Sequence, residues 1–275
     1  EIKGITELDV EEFMLKSISD FSLTAKSFGN LRILVYGIFK RAKKKKLISF
    51  SITEVVNDLE ISRNAFTKVK KDECSEVFMQ DELPVVLDYL KDNLDIVNLG
   101  VLLMFVTGVR VGELVAIKPE DVEGNVIHIC RTESHYKDKE TGKDVYAIKD
   151  TPKTAAGIRN VIVPTDYIWI LHKIKQMNPS GEFLFMRDGS RIRAYTVRLR
   201  LHLFFLFIVV HDKSTHKARK TYASILLSAG VDTSTVISLM GHTDISCTEQ
   251  YYHRNRKDIA AKTVLLNSIP EFQSH

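Results

Sequence analysis

The chain has 275 residues, of which 44% are hydrophobic and 27% are charged, and its formal net charge at pH 7 is +4. This composition is typical of a soluble globular protein and excludes a low-complexity or largely disordered chain. The length suffices for two domains with separate cores, and the longest apolar run, residues 203–210, is too short to cross a bilayer.

The three cysteines, Cys74, Cys130 and Cys247, are far apart and form no CxxC motif. An odd number of cysteines without a secretory segment indicates free thiols in a reducing compartment. We therefore expect a cytoplasmic protein without a structural zinc site. Because the chain begins at Glu1 without a methionine, we also expect that a preceding segment has been removed.

Residues 1–70 predict a small all-helical domain. A capping-box pattern opens a helix over residues 6–20, and a long amphipathic helix follows over residues 24–43. Two shorter helices are predicted over residues 51–59 and 62–69. The buried stripe predicted for the long helix consists of Phe28, Leu31, Val35, Ile38, Phe39 and Ala42.

Positive charge is concentrated at the end of the long helix and again near residue 70. Such a cluster is as often a solvated helix end as a surface that binds phosphate groups. The residues of the predicted phosphate-binding surface are Lys40, Arg41, Lys43, Lys44, Lys45, Lys46, Lys68, Lys70 and Lys71.

A charged segment without periodicity, residues 71–75, predicts a linker to a second domain over residues 76–275. Helices are predicted over residues 81–93 and 94–107. The second of these is nearly apolar throughout, so we expect it to be buried on all sides.

The segment TGVRVGEL, residues 107–114, predicts a turn at Gly108 followed by a new helix. Arg110 and Glu113 are three positions apart, so the arginine can point into a cleft with the carboxylate beneath it. A simple ion pair within the helix is the alternative interpretation.

The pattern then changes to strands, which are predicted over residues 122–130, 145–149 and 158–163. With hairpin connections they form one small antiparallel sheet, and residues 133–144 form a polar insert. Lys153 lies at the tip of the hairpin between the last two strands. A lone lysine in a loop is usually only solvated. Lys153 therefore indicates a functional site only in combination with other candidate site residues.

Helices resume over residues 166–177 and 196–207, which makes the fold mainly α with a small antiparallel β-sheet (α+β). The apolar segment 199–210 must lie partly in the core or in a protein interface. Near the end of the chain, residues 259–266 predict a short amphipathic helix that packs on its own chain or on a neighbour.

His216 and Arg219 are three positions apart in a helix that Ser214 or Thr215 would cap. The positive end of such a helix binds phosphate well. Taken alone, a pair of this kind is more often a surface pair.

A second short helix, residues 232–240, ends at Gly241 and His242, and Tyr251 follows that histidine by nine positions. These are groups that can hold a phosphodiester and attack it with a phenol. The pair Tyr251 and Tyr252 alone would more often be divided between core and solvent.

The arginine of TGVRVGEL, the hairpin lysine, the motifs HKAR and GH, and a tyrosine nine residues later follow one another in order. This order resembles the tyrosine recombinases, also called the phage integrase family, and among them the integrases of phages, integrative conjugative elements and conjugative transposons. The resemblance covers the second domain, and the first resembles the family's helical core-binding domain, which binds DNA.

The resemblance implies that Arg110 and Arg219 grip the non-bridging oxygens of the scissile phosphate, a task that suits the forked guanidinium. It implies acid–base transfer by His216 and a hydrogen bond from His242 to the phosphate. Lys153 would protonate the leaving 5′ oxygen.

The resemblance also makes Tyr251 the nucleophile, because it stands at the family's distance from His242 and matches the first position of the family's Tyr-x-His pattern. Glu113 would support the residues that bind the phosphate without contacting the phosphate itself. Attack would give a 3′-phosphotyrosyl link and a free 5′ hydroxyl, and rejoining would need no metal and no cofactor.

The implied partners are double-stranded DNA at specific recombination sites and further copies of the chain. The copies would form a dimer on one site and a tetramer in the synaptic complex, with exchange of C-terminal tails, and accessory excision or DNA-bending proteins could take part. Two rounds of strand exchange through a Holliday junction would integrate or excise a mobile element.

Four alternatives stay open from the sequence. A Xer-like resolvase of chromosome or plasmid dimers and a relative of the type IB topoisomerases use the same chemistry. A DNA-binding regulator without catalysis is disfavoured because all six catalytic positions carry suitable residues. A helical protein-interaction module is the weakest alternative, since it gives no reason for this ordered set.

Overall fold

The computed structural model describes residues 2–62, 64–68, 72–151, 155–207 and 213–241, together with Arg256. Helices dominate and the strands form small antiparallel sheets, which confirms the predicted α+β class. The chain divides into two compact units, residues 1–71 and 72–275. Among the helices of the described residues, none is both long and apolar enough to cross a membrane.

The first unit is helical throughout its regular structure. Thr6 caps the first helix through a capping box with Asp9, and Thr24 accepts a hydrogen bond from the backbone N–H of Ser27 at the start of the second. The elements are a 3₁₀ turn (Ile2–Gly4) and the helices α1 (Glu7–Asp20), α2 (Ala25–Lys44) and α3 (Ile52–Asn57).

The core of this unit lies along one side of α2, where Phe28, Val35 and Phe39 are buried. Ile38, which was predicted to belong to the same stripe, is 55% exposed. The prediction was wrong at this position because the packed elements cover only the side of α2 that carries the buried residues Phe28, Val35, Phe39 and Ala42.

The helix predicted over residues 62–69 is absent from the described part of that segment. The backbone N–H of Thr67 donates to the carbonyl of Leu23 instead of to a helical partner. Phe66 packs against Phe28 with ring centroids 5.4 Å apart. This contact with the start of α2 holds the segment in turns.

The second unit is built around a buried helix, α6. Asp95 caps it by accepting hydrogen bonds from the N–H groups of Val97 and Asn98, and nearly every side chain along it is buried, as predicted. The helices of this unit are α4 (Glu73–Glu76), α5 (Glu82–Asp92), α6 (Ile96–Thr107), α7 (Val111–Leu114), α8 (Ile168–Met177), α9 (Ala194–Phe207), α10 (Thr215–Ser228) and α11 (Thr233–Met240).

The short helix α4 begins within the segment predicted as a linker, residues 71–75, and ends one residue beyond it. The apolar segment after residue 199 contributes Leu201 and Phe204 to the core, which confirms that part of it is buried, whereas Leu199 and Leu203 are exposed. The predicted tail helix, residues 259–266, lies outside the described residues.

Within the described residues, the strands form three small sheets instead of the single one predicted. One sheet has the order β1-β2-β5, and two further pairs are β3-β4 and β6-β7, all antiparallel. The strands are β1 (Val122–Glu123), β2 (Val126–Ile129), β3 (Thr132–Lys137), β4 (Asp144–Lys149), β5 (Arg159–Ile162), β6 (Met186–Arg187) and β7 (Ser190–Arg191).

The pair β6-β7 was not predicted, and two errors explain the rest of the difference. The predicted strand 122–130 is interrupted by a turn at Gly124, and the polar insert 133–144 contains most of β3. Cross-strand contacts stabilise this polar strand, since His135 stacks on Tyr146 of β4 with ring centroids 4.5 Å apart. Because β4 and β5 belong to different sheets, the connection that carries Lys153 is not a β-hairpin.

Gly108 ends α6 with a φ of 66°, and a Cβ added there would lie 2.3 Å from Cδ1 of Tyr222 in α10. Gly124 has a similar φ of 59° but no atom within 4 Å of an added Cβ. We expect Gly124→Ala to cost about 1 kcal/mol of stability for its backbone conformation, and Gly108→Ala about 1–3 kcal/mol more for the clash.

Urea unfolding followed by the fluorescence of Trp169, which lies in α8, measures both losses in the second unit. Equal losses for the two variants would show that contact with Tyr222 is not the reason for glycine at position 108.

Candidate functional site

Arg110 stands immediately before α7, and its side chain is 42% exposed. Its Nη1 donates to Oε1 of Glu113 at 2.7 Å, and its backbone N–H donates to Oε2 of the same carboxylate at 2.9 Å. The contact predicted between these residues is therefore present. It fixes both ends of Arg110 while leaving part of the guanidinium accessible.

Glu113 has a second partner, Arg159, which was not predicted from the sequence. Nη2 of Arg159 donates to Oε2 of Glu113 at 2.8 Å, and Nη1 donates to Oε1 at 3.1 Å. The two side chains are almost completely buried. Arg159 lies on the same face of β5 as the buried Val161. A charged residue at an inward-facing strand position was the signal that could have revealed this pair.

Glu113 is 2% exposed, and burial alone would raise its pKa. The hydrogen bonds and charge of Arg159, together with the charges of Arg110 and Arg219, outweigh burial and lower the pKa of Glu113 to about 2. The group is therefore a carboxylate at neutral pH and holds Arg110 by a charge-assisted hydrogen bond.

Arg219 is carried by α10 and is 1% exposed. Its Nη1 donates to the carbonyl oxygen of Gly108 at the end of α6, and its Nη2 donates to the carbonyl oxygen of Met240 at the end of α11. Helix C-termini leave carbonyl groups without helical partners and carry partial negative charge. The buried guanidinium therefore joins two helix ends that both favour a cation.

In the part of the chain that the structure describes, three arginines donate hydrogen bonds to the last turn of α11. Three consecutive carbonyl groups take part, and each has a different donor. The carbonyl oxygens of Leu239, Met240 and Gly241 accept from Arg159 Nε at 2.8 Å, from Arg219 Nη2, and from Arg110 Nη2 at 3.5 Å, respectively.

Gly241 ends α11 with a φ of 60°, and a Cβ added there would lie 2.7 Å from the carbonyl oxygen of Ala156. The end of α11 therefore lies against the segment that precedes β5. Lys153, His242 and Tyr251 themselves lie outside the described residues.

His216 lies in the first turn of α10, on the helix that carries Arg219, as predicted. Partial burial, then the positive charges of Lys220, Arg219, Arg110 and Lys217, lower its pKa to about 4. The imidazole is therefore neutral at neutral pH and can accept a proton.

Ion pairs hold α10 against the beginning of the second unit. Glu76 accepts from both Lys217 and Lys220, and Lys213 pairs with Glu82. The sequence does not indicate these contacts because the partners are far apart in the chain. They fix the helix that carries His216 and Arg219.

The predicted phosphate-binding surface lies in the first unit. Lys70 and Lys71 lie outside the described residues. The other seven side chains are all exposed, as a surface for a polyanion requires; they are Lys40, Arg41, Lys43, Lys44, Lys45, Lys46 and Lys68.

Residues 76–258 match the sequence model of the phage integrase family. Tyrosine recombinase XerC of Staphylococcus aureus is 28% identical over 229 residues, which cover 83% of this chain and 63% of that protein. Tyrosine recombinase XerD of Rickettsia bellii (strain RML369-C) is 22% identical over 219 residues, covering 76% of this chain and 70% of that protein. The aligned part spans between 46% and 70% of the length of the curated relatives that the chain matches.

Solved structures share the fold. The Tn1549 transposon integrase in complex with a circular intermediate DNA matches with a TM-score of 0.64 at 16% identity, over 97% of this chain and 86% of that chain. The XerH site-specific recombinase bound to a palindromic difH substrate matches with a TM-score of 0.60 at 19% identity, over 98% of this chain and 73% of that chain.

Proposed function

The chain belongs to the phage integrase family, and we propose that it is a site-specific DNA recombinase acting through a covalent 3′-phosphotyrosyl intermediate. The observation that carries the proposal is the convergence of Arg110 and Arg219 on the buried carboxylate of Glu113, with the imidazole of His216 within electrostatic range of both arginines. A fixed set of guanidinium groups beside a neutral imidazole is suited to bind a phosphodiester and to move a proton.

We assign the non-bridging phosphate oxygens to Arg110 and Arg219, to Arg110 by direct contact and to Arg219 by its buried positive charge. Arg110 is the more accessible of the two, and its contact with Glu113 orients it before DNA arrives. Arg219 is held by main-chain carbonyl groups and adds positive potential beneath the phosphate. Donors that are positioned in advance need no reorganisation during the reaction, which makes their stabilisation of the transition state effective.

In the proposed step, the phenol oxygen of Tyr251 forms a bond to phosphorus while the bond from phosphorus to the 5′ oxygen breaks. His216 takes the phenol proton, Lys153 protonates the leaving 5′ oxygen, and His242 donates a hydrogen bond to the phosphate. The number of phosphate ester bonds is unchanged, so attack by a 5′ hydroxyl reverses the step and rejoins a strand.

The test uses the purified chain and a duplex selected from a randomised pool by binding to it. The duplex is nicked close to each candidate cleavage position, so that the released 5′-hydroxyl strand diffuses away. We expect a covalent protein–DNA product that resists detergent and forms in the presence of EDTA without ATP. Its absence on every selected duplex would contradict the proposal.

For the biological reaction, we propose integration or excision of a mobile element, with Xer-like resolution of chromosome or plasmid dimers as the alternative. The relatives named XerC and XerD favour the alternative, whereas the match to the Tn1549 transposon integrase favours the mobile element. Sequencing the DNA that flanks the gene separates them, since element ends that the protein binds and recombines support the first.

We propose that the exposed basic cluster of the first unit contacts DNA phosphates. Replacing Lys43, Lys44, Lys45 and Lys46 together by Gln should weaken duplex binding, and the slope of log affinity against log salt should fall by about 0.9 for each phosphate that the variant no longer neutralises. The matched control is Lys16→Gln, an exposed lysine of the same unit that pairs with a glutamate. An unchanged slope in the fourfold variant would contradict the assignment.

We further propose that the protein is bacterial or phage-encoded and acts in the cytoplasm in association with the nucleoid, as a dimer on one site and a tetramer at synapsis. The tail over residues 259–266 would be exchanged between copies, and accessory excision or DNA-bending proteins would set direction. Analytical ultracentrifugation of complexes with one and two duplexes measures the number of chains bound.

A further inference from the structure

Arg159 is one of the arginines that donate to the last turn of α11, together with Arg110 and Arg219. It has no part in the proposed cleavage reaction. Its side chain is 5% exposed, whereas the side chain of Arg110 is 42% exposed. Its Nε, Nη1 and Nη2 groups all donate to protein oxygens. Arg159 can therefore affect the site only through the residues that it holds.

The contacts of Arg159 join three separate parts of the second unit. Its Nη1 and Nη2 meet the two oxygens of Glu113 in a bidentate pair, and its Nε donates to the carbonyl oxygen of Leu239 in α11. Nη1 also donates to the carbonyl oxygen of Gly157 at 3.1 Å. The planar fork of arginine matches this set, and an ammonium group with one nitrogen cannot reproduce it.

Both oxygens of Glu113 link Arg159 to Arg110, Oε2 to the Arg110 backbone N–H and Oε1 to its guanidinium. Oε1 of Glu113 accepts from Arg110 Nη1 at 2.7 Å and from Arg159 Nη1 at 3.1 Å. The position of that oxygen therefore depends on Arg159, and the orientation of the Arg110 guanidinium depends on that oxygen. The same arginine also holds the last turn of α11, to which Arg110 and Arg219 both donate.

We propose that Arg159 is a positioning residue, which sets the orientation of the Arg110 guanidinium through Glu113 and aligns it with the last turn of α11. The proposal rests on the proposed function where it concerns cleavage of DNA. The orientation of Arg110 itself is measurable without any reaction.

The test compares Arg159→Lys with Arg191→Lys. Arg191 is the matched control because it also pairs with a buried glutamate of the same unit, Glu133, at 2.5 Å. Lysine keeps the charge in both variants and removes the fork. If Arg159 served only to neutralise the charge of Glu113, Arg159→Lys would keep the cleavage rate of the parent.

With the nicked duplex at saturation, we expect Arg159→Lys to lower the rate of the single-turnover cleavage about 10²-fold, the effect of a small misplacement of a reacting group. Its affinity for the duplex should stay within about threefold of the parent, since Arg110 keeps its charge. Arg191→Lys should lose less than about threefold in rate. A parent-like rate in Arg159→Lys, or an equal loss in both variants, would overturn the proposal.

The second measurement is the NMR signal of the Arg110 Nε–H group, identified by its loss in Arg110→Lys. We expect this signal to shift in Arg159→Lys and to stay in place in Arg191→Lys. An unshifted signal in Arg159→Lys would overturn the proposal whatever the cleavage assay shows. If the parent cleaves no DNA, the proposed function fails, and this measurement still decides the position of Arg110.

If Arg159→Lys does not fold, Arg159→Gln replaces it, because its amide N–H₂ group can still donate to Glu113 but supplies no fork of donors. The expected outcomes are the same: a slow rate at saturating duplex and a shifted Arg110 signal. A parent-like rate and signal in Arg159→Gln would contradict the proposal.

Discussion

Replacing Tyr251 by Phe is expected to abolish covalent trapping of DNA and to leave the affinity for DNA unchanged. The substitution removes one oxygen atom, which is the proposed nucleophile, and leaves the ring in place. Without that oxygen no phosphotyrosyl bond can form, so the loss should be complete to the limit of detection. The cluster of Arg110, Arg219 and His216 would still bind the phosphate.

The control is Tyr252→Phe, an identical change at the next position, which should trap DNA at a rate close to that of the parent. The opposite result, trapping by Tyr251→Phe and none by Tyr252→Phe, would move the nucleophile by one residue. A parent chain that binds the duplex tightly but never forms a covalent product would favour the DNA-binding regulator.

Replacing Glu113 by Ala is expected to lower the free energy of unfolding of the second unit by about 3–5 kcal/mol, the usual loss when one member of a buried ion pair is removed. Arg159 would keep its charge in a nearly solvent-free position without its bidentate partner. Urea unfolding followed by the fluorescence of Trp169 reports on this unit.

The control for Glu113→Ala is Glu182→Ala. Glu182 pairs with Lys118 of the same unit at 3.6 Å, and its side chain is 69% exposed. Removing an exposed pair should change stability by about 0–1 kcal/mol. Comparable losses for the two variants would show that Glu113 contributes no more than a surface carboxylate.

The stabilisation by Glu113 should depend on pH in a defined direction. Its pKa of about 2 in the folded chain lies below the ordinary value of 4.5, so the unfolded chain binds more protons between these values. The contribution is complete above pH 4.5 and is lost as the pH falls through 2. The stability difference between the parent and Glu113→Gln should therefore be smaller at pH 3 than at pH 7. A constant difference would contradict the low pKa.

The local parts of the site could be predicted from sequence. The pair Arg110 and Glu113 depends on spacing within one helical turn, and the same is true of His216 and Arg219 in α10. The glycine ends of α6 and α11 follow from the need for a left-handed residue at those positions. In each case the physical cause acts between residues close together in the chain.

The rest depends on contacts between distant residues, and sequence spacing does not reveal these. Arg159 meets Glu113 across the fold, and the strand β3 is stabilised by its partner β4 more than by its own pattern. The predicted hairpin at Lys153 was wrong for the same reason. β4 pairs with β3 and β5 pairs with β2, and these pairings depend on contacts that the spacing of residues does not reveal. Periodicity identifies strands but not the strands with which they pair.

The contacts at the end of α11 constrain the number of residues in this helix more than the identity of its side chains. The acceptors are main-chain carbonyl groups, so replacing Leu239 changes none of them directly. Inserting one residue into α11 would rotate its last turn by about 100° and advance it by about 1.5 Å, so that all three arginines would face different atoms. Natural variation in this helix should therefore consist of replacements and exclude insertions and deletions.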